Sequence, residues 1–109
     1  MGNEAERIGA LNDQLRTTLQ GGKVMLTNGI AAFDLPKQQA IFRAVQAFND
    51  FNPDNDPHQE HDFGLIEVAG ERVMFKIDYF DRSMRVHSPD PSDPKLTVRV
   101  LTVMLADEY

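Results

Sequence analysis

The sequence predicts an α+β domain in which an antiparallel sheet, a three-strand meander plus one short strand, packs against two to three helices. Three observations predict it. An apolar stripe of helical period runs through the first twenty residues. Residues 72–79 alternate strictly between apolar and polar or flexible side chains. Proline-rich breakers at 53–57 and 89–94 separate the periodic segments. Helices then cover the apolar face of the sheet.

In "NEAERIGALNDQLRTTLQGG", Ile8, Leu11, Leu15 and Leu19 recur at steps of three and four. Asn3 with Glu6 has capping-box spacing, and Gly21-Gly22 supplies a stop. "KVMLTNG" reads as a short strand closed by a turn at Asn28-Gly29. A second helix begins at "DLPKQQ", where Asp34 caps and Pro36 sits in a first turn whose N–H has no partner to lose. Ile41, Val45 and Phe48 line its buried face, and Asn52-Pro53 and Asp56-Pro57 end it, because a residue before proline is pushed out of the helical region.

"FGLIEVAGERVMFKIDYF" then makes two strands joined at Ala69-Gly70. Val73, Phe75, Ile77 and Tyr79 face inward, opposite Arg72, Met74, Lys76 and Asp78. "SMRVHS" is expected to return as the third strand of the meander after a turn at Asp81-Arg82. In the last segment, Asp93 as cap and Pro94 at the first helical position favour a helix burying Leu96, Val100 and Met104. The period-two run "LTVRV" leaves a strand as the alternative there.

The chain of 109 residues is one domain's worth, so a single domain over 1–109 is expected. It contains no cysteine, which excludes disulfides, thiolate metal sites and a cysteine nucleophile. No apolar run approaches the ~20 residues of a bilayer span and the start lacks a signal-peptide layout, so a cytoplasmic protein is expected. With 11 Lys and Arg against 17 Asp and Glu, the formal charge is −6, which argues against direct nucleic-acid binding. It favours instead a partner with a basic protein surface.

The densest functional signal is "DFNPDNDPHQEHDFG", which contains acidic groups and two histidines without one Lys or Arg. Two function classes compete for it. In the leading one, a non-enzymatic accessory protein binds a macromolecular partner through an acidic loop, with Asp54, Asp56, Glu60 and Asp62 as the contact residues. In the other, a metal-dependent enzyme holds a divalent ion with His58, His61 and Asp62, since imidazole and carboxylate together suit zinc, manganese or iron. A calcium loop fails on position, because Asn55 stands where glycine is needed and His61 where a bidentate Glu is needed. A solvated turn built by Asn and Asp side chains is the plain structural reading of the same residues.

Elsewhere, Asp78 and His87 form an acid/base pair only if strand register brings them together. No serine has nucleophile-elbow context, no glycine loop is long enough to cradle phosphate, and 11 interspersed cations weigh against a nucleic-acid mimic. No other cofactor is implied.

The blocks "NDPHQEHDFG", "FKIDYFDR", "SPDPSDP" and "VLTVMLADEY" carry a family resemblance. From about Arg7 to Tyr109 the chain resembles a domain-of-unknown-function family of short proteobacterial proteins, frequent in alphaproteobacteria and often carried on plasmids and integrated mobile elements. The resemblance implies an accessory role, such as countering host defence or regulating transfer. It carries over no activity, cofactor or catalytic residue.

Overall fold

The computed structural model describes residues 4–109. In chain order the elements are α1 (Glu4–Thr18), β1 (Lys23–Leu26), the single-turn α2 (Asn28–Ala31), α3 (Leu35–Ala47), β2 (Phe63–Val68), β3 (Glu71–Phe80) and β4 (Val98–Leu105), followed by a 3₁₀ turn at Ala106–Glu108. The four strands form one sheet in the order β1-β4-β3-β2. β3 pairs antiparallel with β2 on one side and β4 on the other, whereas β1 runs parallel to β4, with Val24 opposite Leu101 and Leu26 opposite Val103. The sheet is therefore mixed rather than antiparallel throughout.

One core joins the layers. Leu15 of α1, Ile30 of α2, and Ile41 and Val45 of α3 pack on Val73, Phe75, Ile77, Leu101 and Val103. The strand register explains the selection, because Phe75 lies opposite Val103 and Ile77 opposite Leu101, so period-two alternation in both strands places their apolar sets on one face. β2 contributes Gly64, which pairs with Phe75. A Cβ there would collide with the Phe75 ring and come within 2.9 Å of Phe48 Cε2. Gly64→Ala is accordingly expected to cost about 1–3 kcal/mol, the usual penalty of overpacking, read as a lowered denaturant midpoint.

Local chemistry accounts for the element ends. Asp34 Oδ1 accepts the Lys37 backbone N–H at 2.9 Å, with Pro36 in the first turn of α3, as the sequence predicts. Ala69 and Gly70 both take positive φ, the hairpin-turn conformation that matches the right-handed twist of β2 and β3. α1 stops earlier than Gly21-Gly22. Leu19 itself adopts φ 61°, its N–H donating to the Leu15 carbonyl, and packing of its side chain against the core offsets the strain. The expected Asn3–Glu6 cap lies outside the described residues.

Three expectations are corrected. Asn28-Gly29, expected as a turn that closes β1, opens the single helical turn α2. "SMRVHS" makes only one bridge, His87 to Phe80, because the Asp81 carboxylate accepts the N–H groups of Arg85 and Val86 and curls the segment into a turn. The third antiparallel strand is instead β4, and the C-terminal helix does not form. Asp93 caps a single turn, its Oδ1 taking the Lys95 N–H and its carbonyl the Leu96 N–H. The β-branched run that follows then fills the slot between β1 and β3, where Leu101 and Val103 become fully buried. Met74, Val100 and Met104 are buried as well, although they point to the face opposite the core.

Candidate functional site

The acidic segment follows α3 and leads into β2, and its own side chains wind it. Asn52 Oδ1 accepts the N–H groups of Asp54 and Asn55, while Asn55 Oδ1 accepts that of Asn52. Asp56, only 4% exposed, accepts the N–H groups of Glu60 and His61 at 3.0 and 3.1 Å. Gln59 and His61 take positive φ, so the chain turns sharply around Glu60. These are the side chain to backbone bonds by which Asx residues compete with regular structure.

Buried polar side chains on α1 dock the segment. Asn12, fully buried, donates from Nδ2 to the Glu60 carbonyl at 2.9 Å and to the Tyr79 hydroxyl at 2.8 Å. The Tyr79 hydroxyl donates onward to Glu60 Oε1 at 2.8 Å, and burial, ahead of its contact with Glu60, pushes the phenol upward so that it stays a neutral donor. Arg99 closes the chain by donating from Nε to Asn12 Oδ1 at 2.9 Å and from its terminal nitrogen to the Pro91 carbonyl. Its guanidinium lies 5.3 Å from the Tyr79 ring centroid.

One turn further along, Arg16 donates to the carbonyls of Val45, Gln46 and Phe48 at 2.8–3.1 Å and to Asp13 Oδ1 at 2.9 Å. It thus caps the C-terminus of α3 with a cation, where the helix dipole favours one. Asp13 in turn accepts from His61 Nδ1 at 3.0 Å, while His61 Nε2 lies 3.7 Å from Asp56 Oδ2. The His61 ring stacks face to face on Phe51, with centroids 4.0 Å apart and planes at 2°.

Between α1 and this segment lies a groove of about 630 Å³. Glu6, Ala10 and Asp13 form one wall, with Phe51, Asp56 and His61 on the other. No Lys or Arg is among its lining residues. Gly9 permits the close approach of the two walls, since a Cβ there would lie 3.3 Å from the Gln59 carbonyl oxygen.

The residues singled out from the sequence divide accordingly. Asp54 is exposed, Asp56 is buried and spent on folding the segment, and Glu60 is half-buried against Tyr79. Asp62 is half-buried, and burial, with repulsion from Glu60 and Asp56, holds its carboxyl above the ordinary value of 3.8. His58 is exposed, whereas His61 is directed at Asp13 and Asp56. Among the described residues, no group of three or more His, Asp or Glu side chains is arranged to hold a metal ion. Asp78 pairs with Lys76 at 3.0 Å and His87 Nδ1 with the Ser88 carbonyl, so the two are engaged separately.

Asn12, Asp13, Arg16, Tyr79 and Arg99 were not expected at this site. A signal for two of them is present in the sequence, because Asn12 and Arg16 continue the Ile8 stripe at steps of four and so had to be buried.

The Asp62 shift fixes the sign of a pH effect. A carboxyl whose folded pKa lies above its unfolded value opposes folding when ionised, and that opposition vanishes once both states are protonated. Asp62→Asn is expected to raise the melting temperature at pH 7, with the gain fading as pH falls toward and below 3.8.

Residues 26–108 match the family model described as protein of unknown function, DUF3768. No curated protein and no solved structure matches the chain.

Proposed function

The chain belongs to DUF3768, a family of unknown function, and from that premise we propose a small non-enzymatic interaction protein that binds a protein partner of basic surface through the acidic end of the molecule. The observation that carries this reading is the groove itself, with Glu6 and Asp13 on its α1 wall, Asp56 on the facing wall and no Lys or Arg among its lining residues. Asp50 and Asp54, both exposed, add the same sign of charge in the segment that supplies the second wall. Such a one-sign cleft raises the local concentration of cationic groups and speeds their encounter.

Within this reading, the contact residues are the outward carboxylates Asp50, Asp54 and Glu6, with Glu60 and Asp62 behind them and Asp56 shaping the segment that displays them. No helix is long and apolar enough to cross a membrane among the described residues, and a cytoplasmic site of action is part of the proposal. A proteobacterial plasmid or mobile-element setting, suggested by the sequence blocks, fits an accessory protein that works by occupying another protein's basic surface.

Calorimetry with an octa-arginine peptide tests it. At low salt, Asp50→Asn/Asp54→Asn is expected to weaken binding about three- to tenfold, whereas Glu67→Gln/Asp107→Asn, of equal charge change elsewhere, leaves it nearly unaltered. Equal weakening by the two pairs would reduce the binding to net charge and overturn the assignment of the site.

A further inference from the structure

We propose that the groove between α1 and the acidic segment is the seat of an arginine side chain from the partner, an inference that rests on the partner reading above. Three features of the walls select a guanidinium over other cations.

The first is a flat ring. Phe51 covers one face of His61, yet the His61 side chain keeps 34% of its exposure and lines the groove, so its other face is the surface offered to an incoming group. Planar guanidinium stacks on such a ring, whereas a compact, strongly hydrated ammonium gains little from it.

The second is acceptor capacity in more than one direction. Asp13 keeps a side chain 40% exposed and takes hydrogen bonds from Arg16 and His61, leaving part of the roughly four lone-pair positions of a carboxylate free. Glu6 stands on the same wall, two helical steps nearer the α1 N-terminus, and is exposed. A donor fork with five N–H groups can satisfy separated acceptors that three ammonium hydrogens on one nitrogen cannot.

The third is preorganisation. Arg16 ties Asp13 to the end of α3, and Asp56 and Phe51 hold His61, so ring and carboxylate stand in place before a ligand arrives. Little ordering entropy is then lost on binding. At about 630 Å³ the groove also accommodates backbone on either side of the arginine, which points to a peptide segment rather than a free amine.

The experiment compares the peptides (Gly-Ser-Arg)₃ and (Gly-Ser-Lys)₃ by calorimetry at low salt, on the wild-type chain and on Ala10→Trp. Ala10 is exposed on α1 and lines the groove, so tryptophan fills the space without altering charge, and an unchanged melting temperature certifies the fold. The arginine peptide is expected to bind about three- to tenfold tighter than the lysine peptide, the range that stacking and bidentate pairing supply. Ala10→Trp is expected to erase that preference while leaving the weaker lysine binding in place. Equal affinities in the wild type, or a preference that survives Ala10→Trp, overturns the groove assignment while the partner reading stands. No binding of either peptide overturns both.

Discussion

Arg16→Met is expected to lower the stability of the fold by about 3 kcal/mol, a large loss for a single substitution. Met retains most of the aliphatic packing, so the loss isolates the guanidinium. That group supplies the donors for three carbonyls at the end of α3, those of Val45, Gln46 and Phe48, and the counterion of Asp13. With Arg16 only 4% exposed, water has little access to replace it at those carbonyls. Hydrogen bonds from a charged donor are each worth about 1.5–3 kcal/mol, and bonds sharing one group are not additive, which sets the estimate near the cost of breaking one buried pair. Denaturant titration should show the midpoint fall with the m-value unchanged. Loss of under about 1 kcal/mol would mean that the carbonyls find water and that α3 needs no cationic cap.

Arg99→Met is expected to cost about 2–4 kcal/mol for a related reason. Arg99 is 2% exposed, and its partners Asn12 Oδ1 and the Pro91 carbonyl are left without a donor when it goes. The coupling to Asn12 is directly measurable. Asn12→Leu alone deprives the Glu60 carbonyl and the Tyr79 hydroxyl of a donor, and the double variant should cost about 1–2 kcal/mol less than the two single costs combined, because each partner is already lost. Strict additivity would show that the chain from Arg99 through Asn12 and Tyr79 to Glu60 is a set of separate contacts rather than a network.

Much of the fold was legible from local chemistry. The α1 stripe, the Asp34–Pro36 entry to α3 and the alternation of β3 all appear where period and capping place them, because in each case one local rule and burial agree. Residues 94–105 were not, because two local rules disagreed. Asp93-Pro94 is a helix start, and it does start a turn, but the Val and Thr residues after it had an empty slot between β1 and β3 that no sequence window reveals. The parallel pairing of β1 has the same cause, being decided by residues some 75 positions apart.

The site was legible as a segment and not as a geometry. Its acid content and its turn-forming Asn and Asp are plain in "DFNPDNDPHQEHDFG", but which carboxylates face water depends on contacts with α1. Asp56 turned inward because two N–H groups of a sharp turn needed an acceptor. His61 turned toward Asp13 rather than toward His58 because Phe51 offers it a stacking face beside α1. The second wall of the groove comes from Glu6 and Asp13, which sit some forty to fifty residues earlier and carry no motif.

The most direct measurement of the central claim is a two-dimensional ¹H–¹⁵N titration of the wild-type chain with octa-arginine at low salt. Shifts are expected to concentrate on residues 6–13 and 50–62, saturate, and shrink together when salt is raised to about 0.3 M, where screening shortens the reach of exposed charges. Shifts centred instead on the opposite sheet face, around Met25, Leu65 and Thr102, or none at all, would contradict it.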